Sequence, residues 1–331
     1  MIGKAACVLA AALLLAGPAA AGSYRASRTP YGQPDLEGVW NTDFILPLEA
    51  DPRAPSLTLP EAEARTFAKT IAGEVADYAS LKIDGEVASV AEHAGQAGLG
   101  VVKGQRRTRQ VVLPANGIIP MTPAARAQVR FVQNVLQNSP DPPFPADGPE
   151  QRPNWERCLV GQGQPPIGIV SDINPRQIVQ TRDAVVILSE YGPDLRIIPF
   201  SDKHGPAVLT TTLGDSIARW DGDTLVIETV GLPAKDAIRP LPTLLVPPSA
   251  VVEERYTRLS DKELLYQYTV REPSLYTGPW LAEYSLYRTD KPVLEFACHE
   301  GNYSLPDILA GARAKEREAA ARAVSKTTQT H

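Results

Sequence analysis

Residues 216–230 read SIARWDGDTLVIETV. Two runs rich in β-branched and apolar residues flank Asp221-Gly222. Such a pair between strand-like runs is the strongest short hairpin signal, because a two-residue turn of this kind needs positive φ at its centre. The same pattern extends outward. Upstream, Gln177–Thr181 and Ala184–Glu190 are separated by Arg182-Asp183, and Leu195–Phe200 follows Gly192-Pro193-Asp194. Downstream, Val251–Arg258 and Glu263–Arg271 flank a Ser-Asp-Lys turn, and Trp280–Arg288 and Val293–His299 flank Thr-Asp-Lys-Pro. This predicts about nine strands joined mostly by tight turns. A meander of hairpins has two open edges, and closure into an up-and-down barrel removes both. The expected fold is mainly β, an antiparallel up-and-down barrel of about nine strands over residues 151–303. A β-sandwich is the alternative; a propeller lacks the internal repeat it would need.

Residues 22–150 read as an N-terminal extension. Its Pro-rich start holds one apolar anchor, Pro34-Asp35-Leu36-Glu37-Gly38-Val39-Trp40. A helix is predicted over 59–80, with Glu61 and Glu63 in the first turn and Ala64, Phe67, Ala68 and Ile71 at helical spacing. A second starts at Thr122-Pro123, an N-cap followed by proline, and carries Val129, Val132, Val135 and Leu136 to about Asn138. The following Ser139–Pro145 is too Pro-rich to be helical and reads as an extended strap. Residues 304–331 read as a C-terminal helix and tail, the helix running from about Pro306 to Val324 with Ser304 and Asp307 at its start.

The first 21 residues set the compartment. Lys4 precedes the apolar run Ala5–Leu15, and Ala19-Ala20-Ala21 ends the segment. This is the pattern of a secretory signal peptide cleaved after Ala21, and it predicts a periplasmic or secreted protein. The run is well short of the roughly 20 residues that a membrane span needs, so no membrane span is expected. Of 331 residues, 43% are hydrophobic and 21% charged, which excludes a largely disordered chain. The net charge of −5 argues against a nucleic-acid binder. Of the three cysteines, Cys7 lies in the signal segment, so Cys158 and Cys298 form a candidate disulfide. Two buried thiols or part of a metal site are the alternatives. Zinc takes four ligands at short spacing, and only His299 adjoins either cysteine, so no metal is assigned.

Alternation decides which side chains meet. On a strand over Val293–His299, Glu295 and His299 share a face. With Glu300, Asn302 and Tyr303 they form the densest group of chemically useful side chains in the chain. Histidine exchanges a proton near neutral pH, and a neighbouring glutamate can hold its tautomer. The candidate catalytic residues are His299, Glu300 and Tyr303. The structural alternative has His299 hydrogen-bonding a loop and Asn302 turning the chain before the last helix. Nearly every strand carries a glutamate (Glu190, Glu228, Glu254, Glu283, Glu295) and arginines recur beside them (Arg196, Arg219, Arg255, Arg271, Arg288). They read either as a polar lumen or as exposed cross-strand ion pairs. Tyr266 and Tyr268 share one face, as do Trp280, Ala282, Tyr284 and Leu286. Inward-facing aromatics suit an apolar ligand, or a plain core. The candidate ligand-binding residues are Asn302, Glu295, Trp220, Trp280 and Tyr284.

Nucleotide, hydrolase-elbow, zincin and EF-hand motifs are absent. Gly161-Gln162-Gly163 lacks the third glycine and the βαβ context of a dinucleotide site, and no cofactor is implied.

The strings Leu213-Gly214-Asp215-Ser216, Arg219–Thr229 (RWDGDTLVIET) and Phe296–Tyr303 (FACHEGNY) resemble a large uncharacterised family of exported bacterial proteins. Pro34–Trp40 and Trp155-Glu156-Arg157-Cys158 carry the same likeness. It implies the compartment and architecture more than an activity. The chain is also similar to lipocalin-like barrels, whose first strand carries Gly-x-Trp, here Gly38-Val39-Trp40, although two helices and the strap intervene before the meander. Three functions follow as expectations: an exported carrier of a small, partly apolar molecule; a cofactor-free lyase, hydratase or isomerase centred on His299; or an envelope interaction protein with a filled barrel.

Overall fold

The computed structural model describes residues 24–80, 98–138, 144–169, 175–192, 194–209, 211–240 and 243–329. The expected signal segment 1–21 and residues 139–143 of the expected strap lie outside the described residues. In chain order the elements are β1 (Gly38–Asn41), α1 (Glu61–Ser80), three short strands β2 (Val101–Val102), β3 (Gln105–Arg106) and β4 (Val111–Leu113), and α2 (Pro123–Asn138). There follow β5 (Arg176–Gln180), β6 (Ala184–Ser189), β7 (Asp194–Pro199), β8 (Asp215–Asp221), β9 (Thr224–Val230), β10 (Ile238–Pro240), β11 (Thr243–Leu245), β12 (Val251–Arg258), β13 (Glu263–Arg271), β14 (Leu281–Arg288) and α3 (Ser304–Gln329).

Nine strands run in the order β7-β6-β5-β1-β14-β13-β12-β9-β8, each pair antiparallel. The two ends of the order meet where Phe200 bridges Ala218 in parallel fashion and the Ser201 N–H donates to the Ala218 carbonyl at 3.2 Å. The sheet is thereby a nearly closed barrel, as its hairpin grammar predicts. Inward residues alternate with outward ones: along β12, Val252, Glu254, Tyr256 and Arg258 are buried, and along β7, Asp194, Arg196 and Ile198.

One expected strand does not form. Val293–His299 is irregular, and the ninth barrel strand is instead β1, inserted between β5 and β14. The reason is edge availability. β14 already pairs β13 on one side and both β1 and β4 on the other, so a strand following it has no edge to join. The pleat that would have put Glu295 and His299 on one face is therefore absent.

The Gly-x-Trp of β1 has a steric origin. Gly38 has a φ of +136°, and a Cβ there would meet the Arg288 guanidinium at 3.2 Å. Two residues on, Trp40 is fully buried, with the Arg258 and Arg288 guanidinium carbons 5.6 and 5.8 Å from its ring centre. Its indole N–H donates to the Leu36 carbonyl at 2.9 Å. This stack closes one end of the barrel.

The helices lie outside the barrel wall. α1 buries Ala64, Phe67 and Ala68 against Ala54 and Leu99. α2 begins where Thr122 accepts the Ala125 N–H at 3.3 Å and packs Ala125 and Val129 on Leu245. At the start of α3 the capping contact comes from Asn302, whose Oδ1 accepts the Leu305 N–H at 3.3 Å, rather than from Ser304.

Candidate functional site

The centre of the barrel is polar where a small core is ordinarily apolar. Glu254 on β12 is fully buried. Arg196 of β7 reaches across the closure between β7 and β8 and donates to it through both terminal nitrogens, at 2.6 and 3.1 Å. Arg196 also donates to Ser216 and Thr229, at 3.2 and 3.3 Å. The remaining capacity of the carboxylate is taken by the Tyr266 hydroxyl at 2.9 Å and the Tyr256 hydroxyl at 3.4 Å. A buried charge needs this density of partners, since an uncompensated one costs several kcal/mol. The Tyr266 ring lies 4.9 Å from both Tyr256 and Tyr284 and 5.5 Å from Tyr268. Burial, and then the Glu254 charge, push the Tyr266 and Tyr256 hydroxyls well above their ordinary values; burial pushes Tyr284 up to about 12. All three stay protonated near neutral pH.

A segment from outside the wall fills what remains. Ile167 is fully buried among these rings. Its N–H donates to the Tyr266 oxygen at 2.9 Å, and its carbonyl accepts the Tyr284 hydroxyl at 2.8 Å. On either side, Arg176 donates to the Gly168 carbonyl at 3.2 Å and Arg239 to the Pro165 carbonyl at 3.3 Å. Four backbone groups of residues 165–168 are thus held by three barrel side chains and by Arg239 of β10, which lies in the separate β10–β11 pair.

The segment is moored at the rim. The Asp194 carboxylate accepts the Gly161 and Gly163 N–H groups, both at 2.8 Å. Burial pushes this carboxyl up to about 6, against the pull of those two N–H groups and of Arg196. A Cβ on Gly161 would lie 2.1 Å from the Tyr191 carbonyl and one on Gly163 2.4 Å from the Asp194 Cβ, so both positions require glycine. The Gly-x-Gly serves close packing. Asp236 accepts the Asn154 backbone and side-chain N–H groups at 3.1 and 2.9 Å and Gln164 at 3.1 Å. Arg239 is half-buried beside it, and desolvation brings its guanidinium down to about 10. Cys158 and Cys298 are joined as a disulfide, with Cα atoms 5.7 Å apart, and tie this segment to the chain before α3.

The residues singled out in the sequence divide between two places. Tyr284 and Trp280 are buried in the barrel, Trp280 edge-on to Tyr268 at 5.9 Å. Trp220, half-buried, packs on Phe200 at the closure. The His299 group lies elsewhere. His299, Glu300 and Glu295 are exposed, and Tyr303 is 75% exposed. Among the described residues no carboxylate lies within hydrogen-bond reach of the His299 ring, so the expected acid/base pair is not assembled. Asn302 donates to the Glu156 carbonyl at 2.8 Å and to Cys158 Sγ at 3.4 Å while capping α3. Its role is architectural. Among the described residues, no three His, Cys, Asp or Glu side chains are grouped to hold a metal.

The glutamate–arginine question resolves both ways. Arg196–Glu254 is in the lumen, whereas Arg271–Glu228 and Arg255–Asp221 are exposed pairs on the outer wall. The lumen pair carried a signal in the sequence, because Glu254 falls in phase with Val252 and Tyr256 on the apolar face of its strand. Ile167 carried none, lying in a Pro- and Gly-rich stretch without periodicity.

No protein-family model matches this chain, and no curated protein matches its sequence.

Proposed function

We propose that the protein is an exported, periplasmic member of the bacterial family its motifs resemble, and that it binds a small, partly apolar molecule in the barrel at the centre occupied by Ile167. One observation carries this reading. The Tyr266 and Tyr284 hydroxyls, the Arg176 guanidinium and the Arg239 guanidinium spend their hydrogen bonds on a segment that belongs to no barrel strand. A barrel built only as a core has no need of such groups at its centre, because each buried polar atom costs 1–3 kcal/mol if left unpaired. The signal-like N-terminus and the disulfide support export. No described helix is long and apolar enough to cross a membrane. Mass spectrometry under native conditions, on protein taken from the periplasm, tests the reading. A co-purifying molecule present with wild type and lost from Tyr284→Phe is expected. Both proteins appearing only at their own ligand-free masses rejects it.

A second reading is an envelope interaction protein. It is favoured by the outer face of β5–β7, where Val179, Leu195 and Ile197 are exposed and joined through the facing pairs Val179–Val186, Val186–Ile197 and Leu188–Leu195. Apolar patches of this kind mark contact surfaces. Cross-linking in intact cells, with Ile197→Asp as the comparison, separates the two readings.

A further inference from the structure

The two lumen hydroxyls have opposite polarity toward the segment between them. The Tyr266 O–H donates to the Glu254 carboxylate, so its oxygen is left to accept. The Tyr284 O–H donates to the Ile167 carbonyl at 2.8 Å, so this hydroxyl serves as the donor. An acceptor and a donor are therefore presented side by side to whatever lies between them. A carboxylate, ether or ester offers only acceptors and leaves the Tyr266 oxygen facing another lone pair. A secondary amide offers one N–H and one C=O and satisfies both. Ile167 does so with its own N–H and C=O, which belong to two successive peptide groups. The flanking guanidiniums take the carbonyls of Gly168, one residue on, and of Pro165, two residues back.

We propose that the lumen is a peptide-binding site, and that residues 164–169 (Gln-Pro-Pro-Ile-Gly-Ile) are an intramolecular stand-in for a peptide segment bearing a branched aliphatic side chain. This rests on the lumen-binding reading above and names its ligand class. The occupant is uncharged at its centre, because Glu254, the only carboxylate at the centre among the described residues, is already engaged by Arg196, Tyr256 and Tyr266. A free amide of one residue shares the central chemistry but cannot reach both guanidiniums.

The test uses the full-length mature protein and its Ile167→Ala variant, which loosens the internal segment by removing its anchoring side chain. The probes are fluorescein-labelled Gln-Pro-Pro-Ile-Gly-Ile amide, the same sequence with the Ile N–H replaced by an ester oxygen, N-acetyl-isoleucine methylamide, and the neutral apolar dye N-phenyl-1-naphthylamine. The peptide is expected to bind Ile167→Ala at least about tenfold more tightly than wild type. The ester analogue is expected to bind about tenfold more weakly than the peptide, the loss of one hydrogen bond to a buried acceptor. The one-residue amide is expected to bind more weakly than the hexapeptide. Equal affinity for peptide and ester overturns the proposal, as does dye uptake by the variant without peptide binding; in both cases the lumen still binds ligands. Uptake of neither peptide nor dye rejects the lumen-binding reading as well. Should Ile167→Ala fail to fold, hydrogen exchange on wild type decides. Excess peptide is expected to speed exchange of the 161–169 amides, and an unchanged rate overturns the proposal.

Discussion

Arg196 and Glu254 pair through two hydrogen bonds with side-chain exposures of 2% and 0%, and they join strands on opposite sides of the barrel closure. Removing one member leaves the other buried without a counter-charge. Glu254→Gln and Arg196→Met are each expected to destabilise the fold by about 3–5 kcal/mol in urea unfolding. The double variant Arg196→Met/Glu254→Leu is expected to recover part of that loss. Single variants within about 1 kcal/mol of wild type would show that the pair does not hold the closure.

Asp194 couples the rim to pH. Its folded pKa, about 6, lies above its ordinary value near 4, so the folded state takes up a proton that the unfolded chain releases between those values. Its contribution to stability is fully present below pH 4 and is lost as the pH rises through 6. Asp194→Asn is expected to flatten this slope, with a difference from wild type that grows by about 2–3 kcal/mol between pH 4 and pH 7.5. Parallel urea midpoints across that range check it; a pH-independent difference sinks the assignment.

Most of the barrel was legible because hairpin grammar is local. Asp221-Gly222 and the turns around it lie next to the strands that they join, and the alternation along β13 and β14 grouped Tyr266 with Tyr268 and Trp280 with Tyr284, all of which the structure buries; for Glu254 it left lumen and outer wall open. What was not legible is non-local. Whether Val293–His299 pairs depends on whether β14 has a vacant edge, and β1 and β4, far away in the chain, occupy it. The candidate site shifted for the same reason. His299 and Glu295 depended on a pleat that never forms, while Ile167 owes its place to hydroxyls on strands about a hundred residues later.

Gly38→Ala adds a methyl group where the Arg288 guanidinium lies 3.2 Å away, at a φ that L-residues rarely adopt. A loss of about 1–3 kcal/mol is expected, from the strained backbone together with the disturbed stack on Trp40. The tryptophan emission should move to the red as the Arg288–Trp40 contact opens. Unchanged stability and emission would show that the arginine accommodates the methyl group freely.

His299→Ala is expected to change stability by no more than about 0.5 kcal/mol, since the side chain is exposed and makes no described hydrogen bond. Thermal unfolding measures it. The same variant should retain any molecule that co-purifies with wild type. Loss of that molecule would return the site to the FACHEGNY turn.

The insertion of β1 also sets an order of assembly. Its partners are β5 and β14, so the first barrel strand to be synthesised is sealed in place only after the last has been made. The hairpin-linked strands and the Cys158–Cys298 crosslink all lie later in the chain and can come together without it. Contacts of such long range are the slowest to form, because the entropy of closing the loop is spent before they contribute. During that interval Trp40 and the interior it covers stay open to water. A nascent chain of this protein is therefore most vulnerable to aggregation late in folding, and at its N-terminal strand.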